Sequence, residues 1–358
     1  MSKHLLLGDE AIAQAALDAG ISGVYAYPGT PSTEITEYIQ SVSQHWQEKI
    51  HSRWCTNEKT AMEAALGMSY IGKRALVCMK HVGMNVAADA FVNSGMTGVN
   101  GGIIVLAADD PSMHSSQNEQ DSRFYGDFAF VPMLEPSNQQ EAYNMVLTGF
   151  ELSEKYKIPV LMRITTLAHS RAGVETTENM RPQNKISFPE DSRQFILLPA
   201  NSRRRFKTLL NEQIMFEAES TDSVYNSYID GKNKKMGIIA CGIAYNYLME
   251  SYPEGCEYPV IKISQYPLPK ALIARMVDEC KEILVLEDGY AFVEDKIKGL
   301  LGLGITVKGR LDGTLDRDGE LNPDKVAMAL GLQNTSPYSI PDIVQMRPPA
   351  LCQGCGHR

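Results

Sequence analysis

Four polar clusters in this 358-residue chain stand where a hydroxyl, a carboxylate and a cation could meet one ligand. The first is Tyr27-Pro28-Gly29-Thr30-Pro31-Ser32-Thr33-Glu34, directly after the apolar run 24–27. That run reads as a strand, so Thr30 is expected at its carboxyl edge, the rim where open α/β sheets bind ligands. Two prolines stiffen the loop and disfavour helix until about Ser32. A turn-stabilising threonine is the plain alternative. In the second cluster, Cys55-Thr56-Asn57-Glu58-Lys59-Thr60-Ala61, another strand hands over to a helix. Asn57 and Glu58 read there as cap and first-turn acid, a setting in which the helix dipole favours the ionised carboxylate. The third, Met79-Lys80-His81-Val82-Gly83-Met84-Asn85, again follows an apolar strand. Lys80 and His81 are placed to anchor a carboxylate or assist proton transfer, the alternative for His81 being a satisfied structural histidine. The fourth is the polar stretch 109–127, with His114, Ser116, Gln117 and Arg123. A segment of this length after a strand's carboxyl end suits a loop that closes over substrate. Arg123 is a candidate carboxylate clamp, with pairing to Asp121 or Glu119 as the other reading.

The elements that must position these groups follow from hydrophobic patterning. Residues 1–175 alternate apolar runs (24–27, 50–55, 74–79, 102–107, 129–134, 160–165) with helical patterns. This predicts an α/β domain, a doubly wound and mostly parallel sheet covered on both faces. Residues 176–235 read as a polar linker with one helix at 203–218, whose three arginines form a solvated face. Apolar runs return at 236–241, 260–263, 283–287 and 305–308, which predicts a second, smaller α/β domain over 236–335. Residues 336–358 read as linker and the beginning of a further domain.

Composition narrows the function classes. A net charge of -9 argues against nucleic acid or anionic membrane as partner, since both reward basic patches. No stretch reaches about 18 uninterrupted apolar residues, and the amino terminus lacks a basic segment leading into a signal-peptide core. A cytoplasmic protein is therefore expected. Seven cysteines, scattered through apolar surroundings, make no disulfide framework. Cys352 and Cys355 form the one close pair, and zinc or cluster roles would need further ligands that are not nearby. Gly8-Asp9-Glu10 is explained by helix capping, and Gly302-Leu303-Gly304 lacks the third glycine of a dinucleotide loop because Val307 stands there.

Taken in order, these segments resemble the amino-terminal pyrimidine-binding domain of the thiamine diphosphate-dependent 2-oxoacid:ferredoxin oxidoreductases. The likeness is greatest to the alpha subunits of the indolepyruvate branch. It covers the whole chain, from Leu5-Leu6-Leu7-Gly8-Asp9-Glu10-Ala11 through the four clusters to Cys352-Gln353-Gly354-Cys355-Gly356-His357. Gln353 stands where a proline is common. The resemblance implies that Glu58 is the glutamate at N1′ of the aminopyrimidine, sharing a proton so that the cofactor's own 4′-amino group can act. It implies that Thr30 contacts the substrate or the developing enolate, and that Pro28, Gly29 and Asn57 border the cofactor. Lys80, His81, His114 and Arg123 would then surround the substrate, and the second domain would be transketolase-C-like.

The implied activity is oxidative decarboxylation of an aryl 2-oxoacid such as indolepyruvate. Coenzyme A takes the acyl group, and 4Fe-4S clusters pass electrons to ferredoxin. The family holds the diphosphate through Mg²⁺ and a Gly-Asp-Gly segment, which does not occur here, nor does a Cys-x₂-Cys-x₂-Cys-x₃-Cys-Pro run. The expectation is therefore a shared half-site in this chain, with no metal ligands of its own and with the remaining Mg²⁺ ligands and the clusters elsewhere. A beta subunit and homo- or hetero-oligomeric association complete the expected assembly. Two rivals stay open: a non-oxidative thiamine-dependent decarboxylase, which needs no downstream clusters, and a non-catalytic α/β scaffold or regulatory module.

Overall fold

The apolar runs 74–79, 102–107 and 160–165 lack the alternation of a half-solvated strand, and they form the middle of a large sheet buried on both faces. The structure, a computed structural model, describes residues 2–43, 49–300, 305–310, 312–316, 319–332 and 341–345. Its first part comprises β1 (Ser2–Leu7), α1 (Gly8–Asp18), β2 (Gly23–Ala26), α2 (Thr33–Ser43), β3 (His51–Trp54), α3 (Glu58–Tyr70), β4 (Ala75–Lys80) and α4 (His81–Thr97). It continues with β5 (Ile103–Ala108), α5 (Arg123–Phe128), β6 (Met133–Leu134), α6 (Gln139–Tyr156), β7 (Val160–Ile164) and β8 (Arg171–Thr176). Next come α7 (Pro199–Thr221), β9 (Ser227–Ile229), β10 (Gly237–Cys241), α8 (Ala244–Ser251), β11 (Val260–Ile263) and β12 (Gln265–Tyr266). The remaining elements are α9 (Lys270–Glu279), β13 (Glu282–Leu286), α10 (Phe292–Leu300), β14 (Thr306–Lys308) and α11 (Pro323–Ala329).

Seven strands form the first sheet in the order β12-β6-β7-β5-β4-β2-β3. All neighbours are parallel except β12, which runs antiparallel to β6. Alternate residues of β4 serve opposite faces. Val77 joins Ala61, Ala65, Ala87, Phe91 and Phe216 from α3, α4 and α7, whereas Leu76 and Cys78 join Ala11, Ile35, Ile39 and Val146 from α1, α2 and α6. This is the doubly wound arrangement expected of residues 1–175, and it sets the loops after β2, β4 and β5 on one rim. The second sheet, β14-β13-β10-β11-β9, is covered by α8 and α11 on one face and by α9 and α10 on the other.

Several boundaries differ from the patterning, each for a physical reason. Of 129–134 only Met133–Leu134 pairs as strand, because Phe130 adopts φ 58 and turns the chain first. The polar stretch 109–127 ends early, since Arg123–Phe128 forms α5. The helix at 203–218 is longer, Pro199–Thr221, with the proline in its first turn where a missing N–H costs nothing. The segment 176–235 is more than a linker, because Ser227–Ile229 pairs antiparallel with β11 at the second sheet's edge. Nor is the first sheet built from residues 1–175 alone, because β12, which follows β11 of the second sheet in sequence, pairs with β6 and extends it. Gly302-Leu303-Gly304 and the Cys352/Cys355 pair lie outside the described residues.

Candidate active site

The rim loops enclose a cleft of about 710 Å³ lined by Tyr27, Pro28, Gly29, Thr30, Thr33, Glu58, Lys80, Val82, Val86, Ser115 and Gln117. Four separate parts of the chain meet there, and each is fixed by local chemistry. The loop after β2 is tied down by its own backbone: Gly29 N–H donates to Thr33 Oγ1 at 2.9 Å, and Ser32 N–H and Oγ–H both donate to Gly29 O at 3.0 Å. Those bonds use Ser32 and Thr33 and leave Thr30 on the cleft wall. Glu58 opens α3, whose first turn is capped by Asn57, its side-chain oxygen accepting from Thr60 N–H at 2.9 Å. Asn57 is thus committed to the helix end and is not part of the cleft lining, while Glu58 is. An ideal Cβ placed on Gly83 would fall 2.6 Å from Glu58 Cγ and Oε1, so the carboxyl group lies against the first turn of α4.

Among the described residues that line the cleft, Lys80 is the one cationic side chain. Its ammonium donates to Ser115 O at 2.8 Å and Ser115 Oγ at 2.9 Å, and sits 3.6 Å from an Asp110 carboxylate oxygen. Burial pushes its pKa below the ordinary lysine value, and Asp110 only partly restores it. Asp110 also accepts from His114 N–H at 3.1 Å, Ser115 N–H at 2.9 Å and the Ser116 hydroxyl. Those bonds and Lys80 outweigh its burial and hold the carboxyl below the usual range. Lys80 therefore fastens the loop after β5 to the cleft. Ser112 and Met113, at φ 69 and 57, turn that loop through left-handed geometry, which costs side-chain-bearing residues about 1–2 kcal/mol each.

The other expected residues have other places. His81 is fully buried behind the cleft, its Nε2 2.9 Å from Asn118 O. A carbonyl oxygen only accepts, so Nε2 carries the proton, and Nδ1 is left buried without a partner. His114 points outward and binds Glu320 at 2.7 Å, not the cleft. Arg123 is a correction: it has no solvent exposure and cannot clamp a substrate. Its guanidinium binds both Asp121 oxygens, reaches Glu287 at 2.9 Å and lies 5.1 Å from the Phe292 ring centroid. The alternative pairing with Asp121 is the one found. Arg163 lies beside it and reaches Asp109 and Glu135, each at 2.5 Å, and Asp288 O at 2.8 Å. The two arginines weld the first sheet to the second unit.

Sequence reasoning passed over Tyr27, Thr33, Val82, Val86 and Ser115. Val82 and Val86 carried a readable signal, two apolar residues four apart at the start of a helix and directly after Lys80-His81. They give the cleft an apolar part of its lining, and Val86 is 45% exposed. The cleft's contents suit a flat, partly apolar heteroaromatic ring: a carboxyl group at one edge, valine side chains beside it, and a glycine that lets the carboxyl group approach closely. Among the described residues no three His, Cys, Asp or Glu side chains gather to hold a metal ion.

Comparisons with known proteins bear on the family and the fold. Residues 14–227 match the family described as pyruvate flavodoxin/ferredoxin oxidoreductase, thiamine diphosphate-binding. The indolepyruvate oxidoreductase subunit IorA of Methanothermobacter thermautotrophicus is 38% identical over 368 residues, covering 99% of this chain and 59% of that protein. IorA of Thermococcus kodakarensis is 38% identical over 377 residues, covering 99% and 58%. This chain thus spans about 59% of the length of such relatives. Among solved structures, the 2-oxoglutarate:ferredoxin oxidoreductase from Magnetococcus marinus superposes with a TM-score of 0.69 at 18% identity, covering 86% of this chain and 62% of that one. At that identity the likeness shows the fold.

Proposed function

The chain belongs to the pyruvate flavodoxin/ferredoxin oxidoreductase family through its thiamine diphosphate-binding domain, and from that premise we propose that it supplies the pyrimidine-activating half of an aryl 2-oxoacid:ferredoxin oxidoreductase. The observation that carries this reading is the convergence of Glu58, Thr30 and Lys80 on one cleft from three different loops. Thiamine diphosphate, when bound, supplies the carbanion that attacks the ketone carbon of a 2-oxoacid. Glu58 would exchange a proton at N1′ of the aminopyrimidine, and Val82, Val86 and the turn at Gly83 would hold the ring. The site adds tension to that role, because Glu58 begins one helix and lies against the first turn of another, and both dipoles favour the ionised carboxylate. In its charged form Glu58 would accept a charge-assisted hydrogen bond from a protonated N1′, the other side of the same proton exchange.

Thr30 would donate its hydroxyl to the substrate's ketone oxygen, where negative charge develops. Lys80 would bind the substrate carboxylate, exchanging a Ser115 contact for it. Pro28, Gly29 and Tyr27 would close the floor and exclude water. The preference for an aryl substrate such as indolepyruvate is supported by the relatives' names and by the apolar wall beside the cation.

In the whole enzyme we assign coenzyme A as acyl acceptor and ferredoxin as electron acceptor, with 4Fe-4S clusters and the Mg²⁺-diphosphate ligands outside these residues. A beta subunit and a dimeric, cytoplasmic assembly complete the proposal. Among the described residues no helix is long and apolar enough to cross a membrane. The test is substrate-dependent reduction of ferredoxin by the full-length protein with its partner subunit. Indolepyruvate or phenylpyruvate is expected to exceed pyruvate and 2-oxoglutarate in kcat/KM. Equal or greater turnover of 2-oxoglutarate would contradict the aryl assignment.

A further inference from the structure

We propose that Gly83 is a positioning residue whose missing side chain forms the slot that holds the Glu58 carboxyl group at the cleft. The inference rests on the catalytic reading of Glu58 and extends it to the residue that sets its geometry. Gly83 is the third residue of α4, a 17-residue helix, and is buried there. It does not belong to the glycines with positive φ, so the backbone at this point is one that any residue adopts. Conformational freedom therefore does not explain it, and glycine inside a helix is a destabilising choice relative to alanine. Space does explain it. A Cβ at this position would lie 2.6 Å from Glu58 Cγ, 2.6 Å from Oε1 and 2.8 Å from Cδ, and these are its three nearest neighbours. All three distances fall inside van der Waals contact, and all three atoms belong to one side chain from another helix.

That arrangement contrasts with Gly67 in α3, where an added Cβ would meet nothing within 4 Å. Gly67 is exposed and has no such reason in the structure. Lys80 at the end of β4, and Val82 and Val86 near the start of α4, line the same cleft. The end of β4 and the first turns of α4 thus supply a cation, an apolar wall and, through Gly83, the place for the carboxyl group. An added methyl group would meet a flexible side chain and not backbone, so the side chain is what yields. Glu58 would swing off the line on which it reaches the ring nitrogen, and a misplacement near 1 Å is worth roughly 100-fold in rate.

The experiment compares Gly83→Ala, Gly67→Ala and Glu58→Gln in the complete enzyme, reading kcat, KM for the 2-oxoacid, the melting temperature without cofactor, and the Kd for thiamine diphosphate by calorimetry. For Gly83→Ala we expect a melting temperature equal to or above wild type, kcat lowered by about 10- to 100-fold, a weakened Kd for the cofactor and little change in KM. Gly67→Ala is expected to gain stability with kcat unchanged, which separates a helix effect from a slot effect. A Gly83→Ala enzyme with kcat within about twofold of wild type overturns the proposal. So does one that melts well below it, because the helix and not Glu58 would then have moved. If Glu58→Gln is inactive while Gly83→Ala is normal, the slot idea alone falls. If Glu58→Gln keeps full turnover, the reading on which it rests falls with it.

Discussion

Replacing Lys80 with methionine keeps the aliphatic stem and removes the one cation among the described residues of the cleft lining. Hydrogen bonds to charged groups contribute about 1.5–3 kcal/mol, so loss of a carboxylate anchored there is expected to lower kcat/KM by roughly 10- to 150-fold. Because the ammonium binds the carboxylate in the ground state, before that group leaves as neutral carbon dioxide, the loss is expected mainly in KM, with kcat changed by less than about threefold. The fold should tolerate the change. Asp110 loses a partner 3.6 Å away but keeps the N–H groups of His114 and Ser115 at 3.1 and 2.9 Å, and the hydroxyl of Ser116. The stability cost should therefore stay near the low end of the range of about 1–3 kcal/mol for a disturbed buried polar group. A pH series adds a second, independent readout. Burial lowers the Lys80 pKa, so its charge is lost at a lower pH than for an ordinary lysine. Wild-type KM should rise as pH climbs through that lowered value, whereas the KM of Lys80→Met should stay flat. Initial-rate kinetics with a viologen or ferredoxin acceptor, paired with thermal melts, measure both. A correctly folded Lys80→Met enzyme with unchanged KM would refute the anchor, and a fall confined to kcat would move Lys80 to a different role.

Other consequences follow from groups away from the cleft wall. Arg163→Met removes the partner of Asp109 and Glu135, both buried, and should cost about 3–5 kcal/mol; a denaturant midpoint within error of wild type would show that the weld between the units is not energetic. Asp9 is buried with neither oxygen bonded, and its pKa is raised by burial first and then by Glu34 and Glu10. The folded carboxyl binds its proton more tightly than the unfolded one, so wild-type stability should fall as pH rises from the ordinary carboxylate range through the raised value. Asp9→Asn should flatten that slope and be the more stable protein at neutral pH, and parallel stability curves from pH 4 to 8 would contradict this. Tyr290→Phe breaks the 2.6 Å bond from the second unit to Glu119 O on the cleft loop. A loss of about 1 kcal/mol of loop anchoring should appear as a KM raised a few-fold and as faster proteolytic cleavage within residues 112–119, and unchanged cleavage would count against it.

Much of this is legible in the sequence, and the reasons are local. An apolar run followed by proline, asparagine or lysine marks a strand meeting a rim, and that rule alone set Thr30, Glu58 and Lys80 at one edge of the sheet. Contacts made across long stretches of sequence were illegible. Arg123 looks like any exposed cation on a polar loop until Glu287, 164 residues later, is brought to 2.9 Å. The ribbon of β1 and β8 escaped because four of the six β1 residues are exposed and carry no core-facing alternation. Strand β12 is two residues long, too short for any period, yet it joins the second unit to the first sheet. Gly83 gave no signal because the carboxyl group it accommodates comes from 25 positions earlier on another helix.

The central claim is that Glu58 exchanges a proton with the cofactor ring, and Glu58→Gln tests it most directly, since the amide keeps the shape and loses the proton chemistry. Turnover of an aryl 2-oxoacid by the complete assembly is the measurement, with thiamine diphosphate saturating and the melting temperature as control. The account predicts a loss of kcat of at least about 100-fold in a protein that melts with wild type. A Glu58→Gln enzyme that turns over within about twofold of wild type would contradict it and would favour a scaffold or regulatory role for this cleft.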